Sequence, residues 1–301
     1  GGNISIPQAY IADVTTPAER SKWMGMIGAA FGLGFTFGPM IGGIMSRVSY
    51  AAPFYVAAAM AAANVVLLYF ILPESLPPDH RAQPHEEASM VEVFRHGSGW
   101  MFTLVVATYF FLVAGFTIMT AFFALFTERR FGYDAHANGY LFGFIGTVTV
   151  IVQGGLIGRL VTMFGETALA RCGLLITAAS LALLPLCRNL TWLLVACVGL
   201  SLGSGFASPP LNGLASQMID RSWQGRALGV LQSAGSTARL LGPLLGGALL
   251  MLDLHKPVSR YGETPFFAAA LLCVVGSGLA FCLRKPAADR MPETIPVGSS
   301  V

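Results

Sequence analysis

Apolar residues run along this chain in blocks too long for the core of a soluble domain. A helix needs about 20 apolar residues to cross a bilayer. The pattern predicts full membrane spans near 23–46, 51–72, 99–126, 138–162, 167–187, 190–218, 225–252 and 264–283, with a part-helix at 1–13. One interval is long and polar. Residues 73–98 carry four prolines, seven Asp, Glu or Arg residues and three of the five histidines. That composition predicts a linker, with a short amphipathic helix near Ser89–Arg95. The fold class expected is all-α, a multi-pass membrane helical bundle. Its parts are a partial N-terminal half at 1–72, the linker at 73–98, a C-terminal half at 99–285 and a tail at 286–301.

The first full span holds an unusual run. Gly25 to Gly43 reads GMIGAAFGLGFTFGPMIGG, with seven glycines, one proline and no charge. Glycine and proline are poor helix formers in water. In lipid, helices gain little from apolar attraction and associate by close packing, which small residues allow. Gly28 and Gly32 form GxxxG, and Gly34, Gly38 and Gly42 continue the four-residue spacing. Pro39 removes one helical hydrogen bond and favours a kink. A smooth, kinked helix suits two bodies that rock against each other.

The run recurs. Gly229 to Gly247 reads GVLQSAGSTARLLGPLLGG, and a shift of 204 residues puts Gly38-Pro39 on Gly242-Pro243 and Gly42-Gly43 on Gly246-Gly247. Both copies follow a polar loop on the same predicted side, so the repeat is parallel, as in transporters built from two similar halves. Three spans precede the second copy's first helix after the linker. Their counterparts would occupy roughly 100 residues before residue 1, giving a parent of two six-helix halves with its first three helices absent here.

Charge sets an orientation. With the linker placed in the cytoplasm, the inner loops hold Arg20, Lys22, Arg81, Arg95, Arg159, Arg171, Arg221, Arg226, Arg284, Lys285 and Arg290. The outer loops hold Arg47, Arg129, Arg130, Arg188, Lys256 and Arg260. The excess of cationic residues inside supports a cytoplasmic linker and tail. Only 11% of the residues are charged, against about 25% in a soluble domain, which supports the membrane reading. The net charge of +3 and the lack of a basic, aromatic-rich patch exclude nucleic acid as an expected partner. The five cysteines lie in or beside apolar runs and show no metal spacing, so they are expected to be small buried residues. No cofactor and no metal are expected. An intramembrane enzyme would need a nucleophile–base or metal constellation, and the spans hold neither histidines nor paired carboxylates.

Several motifs carry a resemblance. The run Gly25-x8-Gly34-x3-Gly38-Pro39-x2-Gly42-Gly43 resembles the fifth-helix motif of the major facilitator superfamily, in its drug:proton antiporter branch. Ala9 to Thr15 followed by Pro17, Glu19 and Arg20 resembles the family's fourth helix and the loop after it, and Leu72 to Pro78 the end of its sixth. Gly158-Arg159, Phe164-Gly165-Glu166 and Arg171 are similar to a degenerate copy of the loop between helices eight and nine. Gln224-Gly225-Arg226 with Gly242-Pro243-Leu244-Leu245 is similar to the tetracycline/proton antiporters. The likeness covers about residues 1–285.

The resemblance implies that Gly25, Gly34, Gly38, Pro39, Gly42 and Gly43 help seal the interface between the halves, with Gly242, Pro243, Gly246 and Gly247 as the repeat's counterparts. Asp13, Arg20, Arg159, Glu166, Asp220 and Arg226 become candidates for cytoplasmic latches. The cavity is expected near the midplane, lined by 1–13, 99–126 and 190–218. Tyr109, Phe116, Thr120 and Phe123 share one helical face that suits a flat amphipathic ligand. Gln8, Gln153, Asn212 and Gln232 lie within apolar runs and either bind substrate or tie helices together. Arg239 sits in the middle of a span, where a charge costs on the order of 3 kcal/mol or more, so it is expected to face a cavity or an acid.

The function expected is secondary transport in the cell membrane. The expected cargo is a small amphipathic compound such as a tetracycline-like drug, exported in exchange for protons by alternating access from a monomer. No Asp or Glu lies within a full span, so the coupling acid is expected in the preceding helices or at Asp13. A facilitator or symporter for a metabolite, and a non-transporting receptor or scaffold on the same fold, are the rival expectations.

Overall fold

Hydrocarbon offers a backbone no hydrogen-bond partner, so an apolar chain must satisfy its amides within helices. The computed structural model describes Pro7, Tyr10, Ile11, Val14, Ala30, Gly34, Phe37, Gly38 and residues 40–73, 99–219 and 224–283. Among these there is no strand. Residues 40–45 are helical. The longer helices are α1 (Ala52–Ile71), α2 (Trp100–Phe131), α3 (Ala135–Ile151), α4 (Ile157–Phe164), α5 (Glu166–Leu183), α6 (Leu190–Gln217), α7 (Gln224–Met251) and α8 (Glu263–Phe281). A π-helical segment, Val152–Leu156, joins α3 to α4 in one rod. Most of the predicted linker, the amphipathic helix expected within it, and the tail lie outside the described residues.

Local chemistry sets the helix ends. The Asp134 carboxylate accepts the Ala137 N–H at 2.7 Å to cap α3, and the Asn189 side chain accepts the Trp192 N–H at 3.1 Å to cap α6. Gly132 stops α2 in the left-handed conformation at φ 72°. That helix runs beyond the predicted end near 126, because Glu128, Arg129 and Arg130 continue it. The Arg129 guanidinium lies 4.5 Å from the Tyr261 ring, so polarity marked the apolar span's limit and not the helix's.

Helices α2 to α8 form one bundle whose closest pair is α5 against α6. A Cβ on Gly173 would lie 2.6 Å from the Gly203 carbonyl oxygen and the Ala207 nitrogen, so glycine is required there for the backbones to meet. Two apolar clusters fill the bundle. One gathers Phe102, Leu174, Leu211, Leu214 and Leu231. The other gathers Ile118, Phe123, Phe126, Leu181, Leu200 and Phe266. Hydroxyls inside the bundle mostly turn back on their own helices, as Thr177 does to the Gly173 carbonyl at 2.8 Å. Ser201 also donates across to the Ile145 carbonyl at 2.8 Å, fastening α6 to α3.

Six described spans are long and apolar enough to cross a membrane: α1, α2, the α3–α4 rod, α5, α6 and the stretch Val258–Phe281. The chain is therefore a multi-pass membrane protein. Helix α7 is 28 residues long, but its polar stripe keeps it out of that set. Three cysteines, Cys187, Cys197 and Cys273, are buried as expected. Cys172 and Cys282 are exposed, which corrects the expectation for those two.

Between α7 and α8 the buried Asp253 carboxylate accepts the Thr264 N–H at 2.9 Å and pairs with Lys256 at 2.7 Å. Burial by itself would raise its pKa. The hydrogen bonds from Lys256 and Thr264 and the Lys256 charge outweigh that and hold it below the ordinary value.

Candidate functional site

The polar residues of α7 gather on a band that the apolar core does not use. Ala227, Leu231 and Ala238 face inward and are fully buried. Ser233, Ser236, Thr237 and Arg239 are exposed, and Gln232 is half-buried beside them. Arg239 lies fifteen residues from the first and twelve from the last residue of the helix. Its guanidinium folds back over Gly235. A Cβ on Gly235 would lie 2.9 Å from Tyr109 Cε1, 3.5 Å from Arg239 Nη1 and 3.7 Å from Nη2. Glycine thus leaves the gap in which an aromatic ring of α2 and the cation of α7 come together. Among the described residues Arg239 has no ion pair and no hydrogen bond.

Helix α2 supplies the other wall. Tyr109 is buried, while Phe116 and Thr120 are half-buried. The Thr120 hydroxyl donates to the Thr117 carbonyl at 3.1 Å. Phe123 keeps the helical face expected for it, seven residues beyond Phe116, but lies where α3 covers that face. It is fully buried, with its ring 5.3 Å from that of Phe142 on α3, and belongs to the bundle core. Period alone could not separate it, because the α2–α3 crossing decides which part of the face is covered.

The other polar candidates are dispersed. Gln153 is half-buried in the π-helical segment, and among the described residues its amide has no partner. Asn212 lies on α6 and donates to the Ser208 carbonyl at 2.8 Å, just after Pro209 and Pro210. Glu166 accepts from the Gln217 amide at 2.7 Å, a bond within one half. Arg159 and Arg226 are exposed. Gln8, Asp13, Arg20, Gly25, Pro39 and Asp220 lie outside the described residues.

The two glycine runs behave differently. Gly242 and Gly246 pack α7 on α2 inside one half: a Cβ on Gly242 would lie 3.1 Å from the Ala114 carbonyl oxygen, and one on Gly246 2.6 Å from the Phe122 ring. Gly247 has ordinary room, and Pro243 lies inside α7 without ending it. These contacts are with α2 of the same half. In the first run, a Cβ added on Gly34, Gly38 or Gly42 would meet nothing within 4 Å among the described residues. With Pro53, Val56, Ala57 and Met60 they line an open groove of about 220 Å³. Gly43 does reach the other half, where a Cβ would lie 2.6 Å from Gly139 Cα. Met40 sits over Gly143 in the same contact.

Sequence reasoning missed two fastenings. Arg47 Nη2 donates to His136 Nε2, and His136 Nδ1 is 3.2 Å from the Gly43 carbonyl oxygen, so one imidazole ring bridges the seam. Arg171 donates to the carbonyls of Ala280, Phe281 and Leu283 and caps the end of α8. The signal for Arg171 was a cation at a helix end, but its partners are more than a hundred residues away. Among the described residues no group of His, Cys, Asp and Glu side chains is arranged to hold a metal.

The sequence profile described as Major Facilitator Superfamily matches residues 1–243 and again 154–299. The chain belongs to this superfamily. A Bacillus subtilis relative named multidrug resistance protein 2 is 31% identical over 286 residues, covering 93% of this chain and 69% of its own length. The Escherichia coli class C tetracycline resistance protein is 28% identical over 251 residues, covering 83% of this chain and 63% of its own. The chain thus spans about two thirds of the length of these relatives. The crystal structure of the human organic anion transporter MFSD10 overlaps it with a TM-score of 0.68 at 25% identity, over 93% of this chain and 68% of that one. A bacterial homologue of the lysosomal transporter Spinster, solved inward-facing and unoccupied, shares the fold with a TM-score of 0.64 at 15% identity. This superfamily chain is a membrane transport protein and not an enzyme.

Proposed function

We propose that the protein is a secondary active exporter of small amphipathic organic compounds, working in the cell membrane as a monomer by alternating access with proton exchange. The observation that carries this reading is the seam between residues 40–43 and α3, where Gly43 meets Gly139 and Met40 meets Gly143. Small residues at a contact between halves let it open and close without large side chains having to disengage. Relatives named for multidrug and tetracycline resistance support the cargo class.

Tyr109, Phe116, Thr120, Gln153, Asn212, Gln232 and Arg239, with Gln8, are the proposed cargo-lining residues. Asp13, Arg20, Arg159, Glu166, Asp220 and Arg226 are the proposed cytoplasmic latches. The described carboxylates lie at helix ends or in connections, so Asp13 is the proposed coupling acid within this chain. The test places the protein in proteoliposomes under a pH gradient and follows luminal pH as planar amphipathic drugs are added. Drug-dependent proton movement is expected. Folded protein that moves no protons with any drug would shift the reading to a metabolite facilitator.

A further inference from the structure

We infer that Arg239, held beside Tyr109 across the gap at Gly235, recognises the acidic group of an anionic cargo, an aromatic or amphipathic carboxylate. The inference rests on the transport reading and adds the charge of the cargo to it.

Helix α7 lies along the spanning helix α2, with Gly235 against Tyr109, Gly242 against Ala114 and Gly246 against Phe122, so a guanidinium at its middle sits at membrane depth and needs compensation. With twelve residues to the nearer end of α7, and a rise of about 1.5 Å per residue, that end is about 18 Å away. Arg239 therefore cannot reach the interface by bending along the helix. A partner within the described bundle is also absent. Glu128, Asp134, Glu166, Asp253 and Glu263 all lie at helix ends or in connections, and each described contact they make is with another group. The cation is nonetheless not hidden, since Arg239 is exposed. Gln232 and Ser236 share its helix face and offer polar atoms beside it. The fork of a guanidinium matches a carboxylate with two parallel hydrogen bonds. The buried Tyr109 ring backs the gap at Gly235 from the core side, so the guanidinium is held at the open face of α7. Gly235 is the positioning residue: any side chain there would enter the space between ring and guanidinium.

The test measures equilibrium binding to the purified protein in lipid nanodiscs, using matched pairs that differ in charge. The probes are 2-naphthoate against 2-naphthamide and biphenyl-4-carboxylate against biphenyl-4-carboxamide. Each acid is expected to bind about tenfold or more tighter than its amide. In Arg239→Gln the acids are expected to fall to within about twofold of the amides, while Arg239→Lys keeps part of the preference, because a point charge lacks the fork. Retained amide binding reports that the variant is folded. Gly235→Ala, which changes no charge, is expected to weaken the acids several-fold, since its methyl group would sit against Tyr109 and Arg239. Equal binding of acid and amide by the unmodified protein would overturn the inference and leave the transport reading standing, as would a preference that survives Arg239→Gln. Failure of both acids and amides to bind would overturn both.

Discussion

Asp253 shows what a single buried charge does at the mouth of this bundle. Its carboxylate is out of water and holds the α7–α8 connection through Thr264 and Lys256. Its pKa is depressed in the folded state, so the stabilisation is present above the unfolded value and is lost as pH falls through the folded one. Thermal stability of the protein is expected to decline as acid is added below about pH 4, and Asp253→Asn to flatten that decline. At neutral pH the same substitution is expected to cost about 1–3 kcal/mol, checked by thermal unfolding in nanodiscs. At this scale the sequence was partly legible. Arg239 stood out because charge in an apolar run is rare, and the structure leaves it without a partner among the described residues. Asp253 did not stand out, because its partner Thr264 is eleven residues away and only the turn brings them together.

Helices pair here where glycine permits, so glycine substitutions separate packing from propensity. Gly203→Ala is expected to destabilise by about 1–3 kcal/mol, because its Cβ would lie 2.6 Å from the Thr177 nitrogen on α5. Gly158→Ala, in α4 with nothing within 4 Å, is expected to be neutral or to stabilise by up to about 1 kcal/mol through helix propensity. Parallel melting curves check both, and equal effects would mean that α5 and α6 are not in backbone contact. Helix existence was readable from hydropathy, since lipid leaves the backbone no alternative. Which glycine touches which helix was not. The Gly242-Pro243 and Gly246-Gly247 pairs repeat those of the first run, yet Gly242 and Gly246 pack on α2 within their own half. Its pattern states that something approaches closely and does not name the neighbour.

The whole molecule turns on the contact between residues 40–43 and α3. A Cβ on Gly143 would lie 3.4 Å from Met40 Cβ, close to disulfide spacing. In a background without the native cysteines, Met40→Cys with Gly143→Cys is expected to cross-link on oxidation and stop transport, and reduction to restore it. With a protease site placed in the linker, the oxidised protein should remain one band after cleavage and the reduced protein two. Cross-linking without loss of transport would mean that this contact does not open during the cycle. His136 belongs to the same seam, with its ring between Arg47 and the Gly43 carbonyl. An imidazole is unremarkable in sequence, and only docking of the halves gives this one a role.

By itself the sequence determined the membrane, the all-helical fold and the superfamily. Those follow from local composition and spacing: length against bilayer thickness, and small residues at fixed intervals. The tertiary structure alone decided which side of each helix is covered. It moved Phe123 into the core, set the second glycine run inside one half, and brought Tyr109 of α2 to Arg239 of α7. The physical reason is that lipid and a neighbouring helix are equally apolar. Hydrophobicity therefore places a residue in the membrane without saying what it faces, and close packing between distant segments makes that choice.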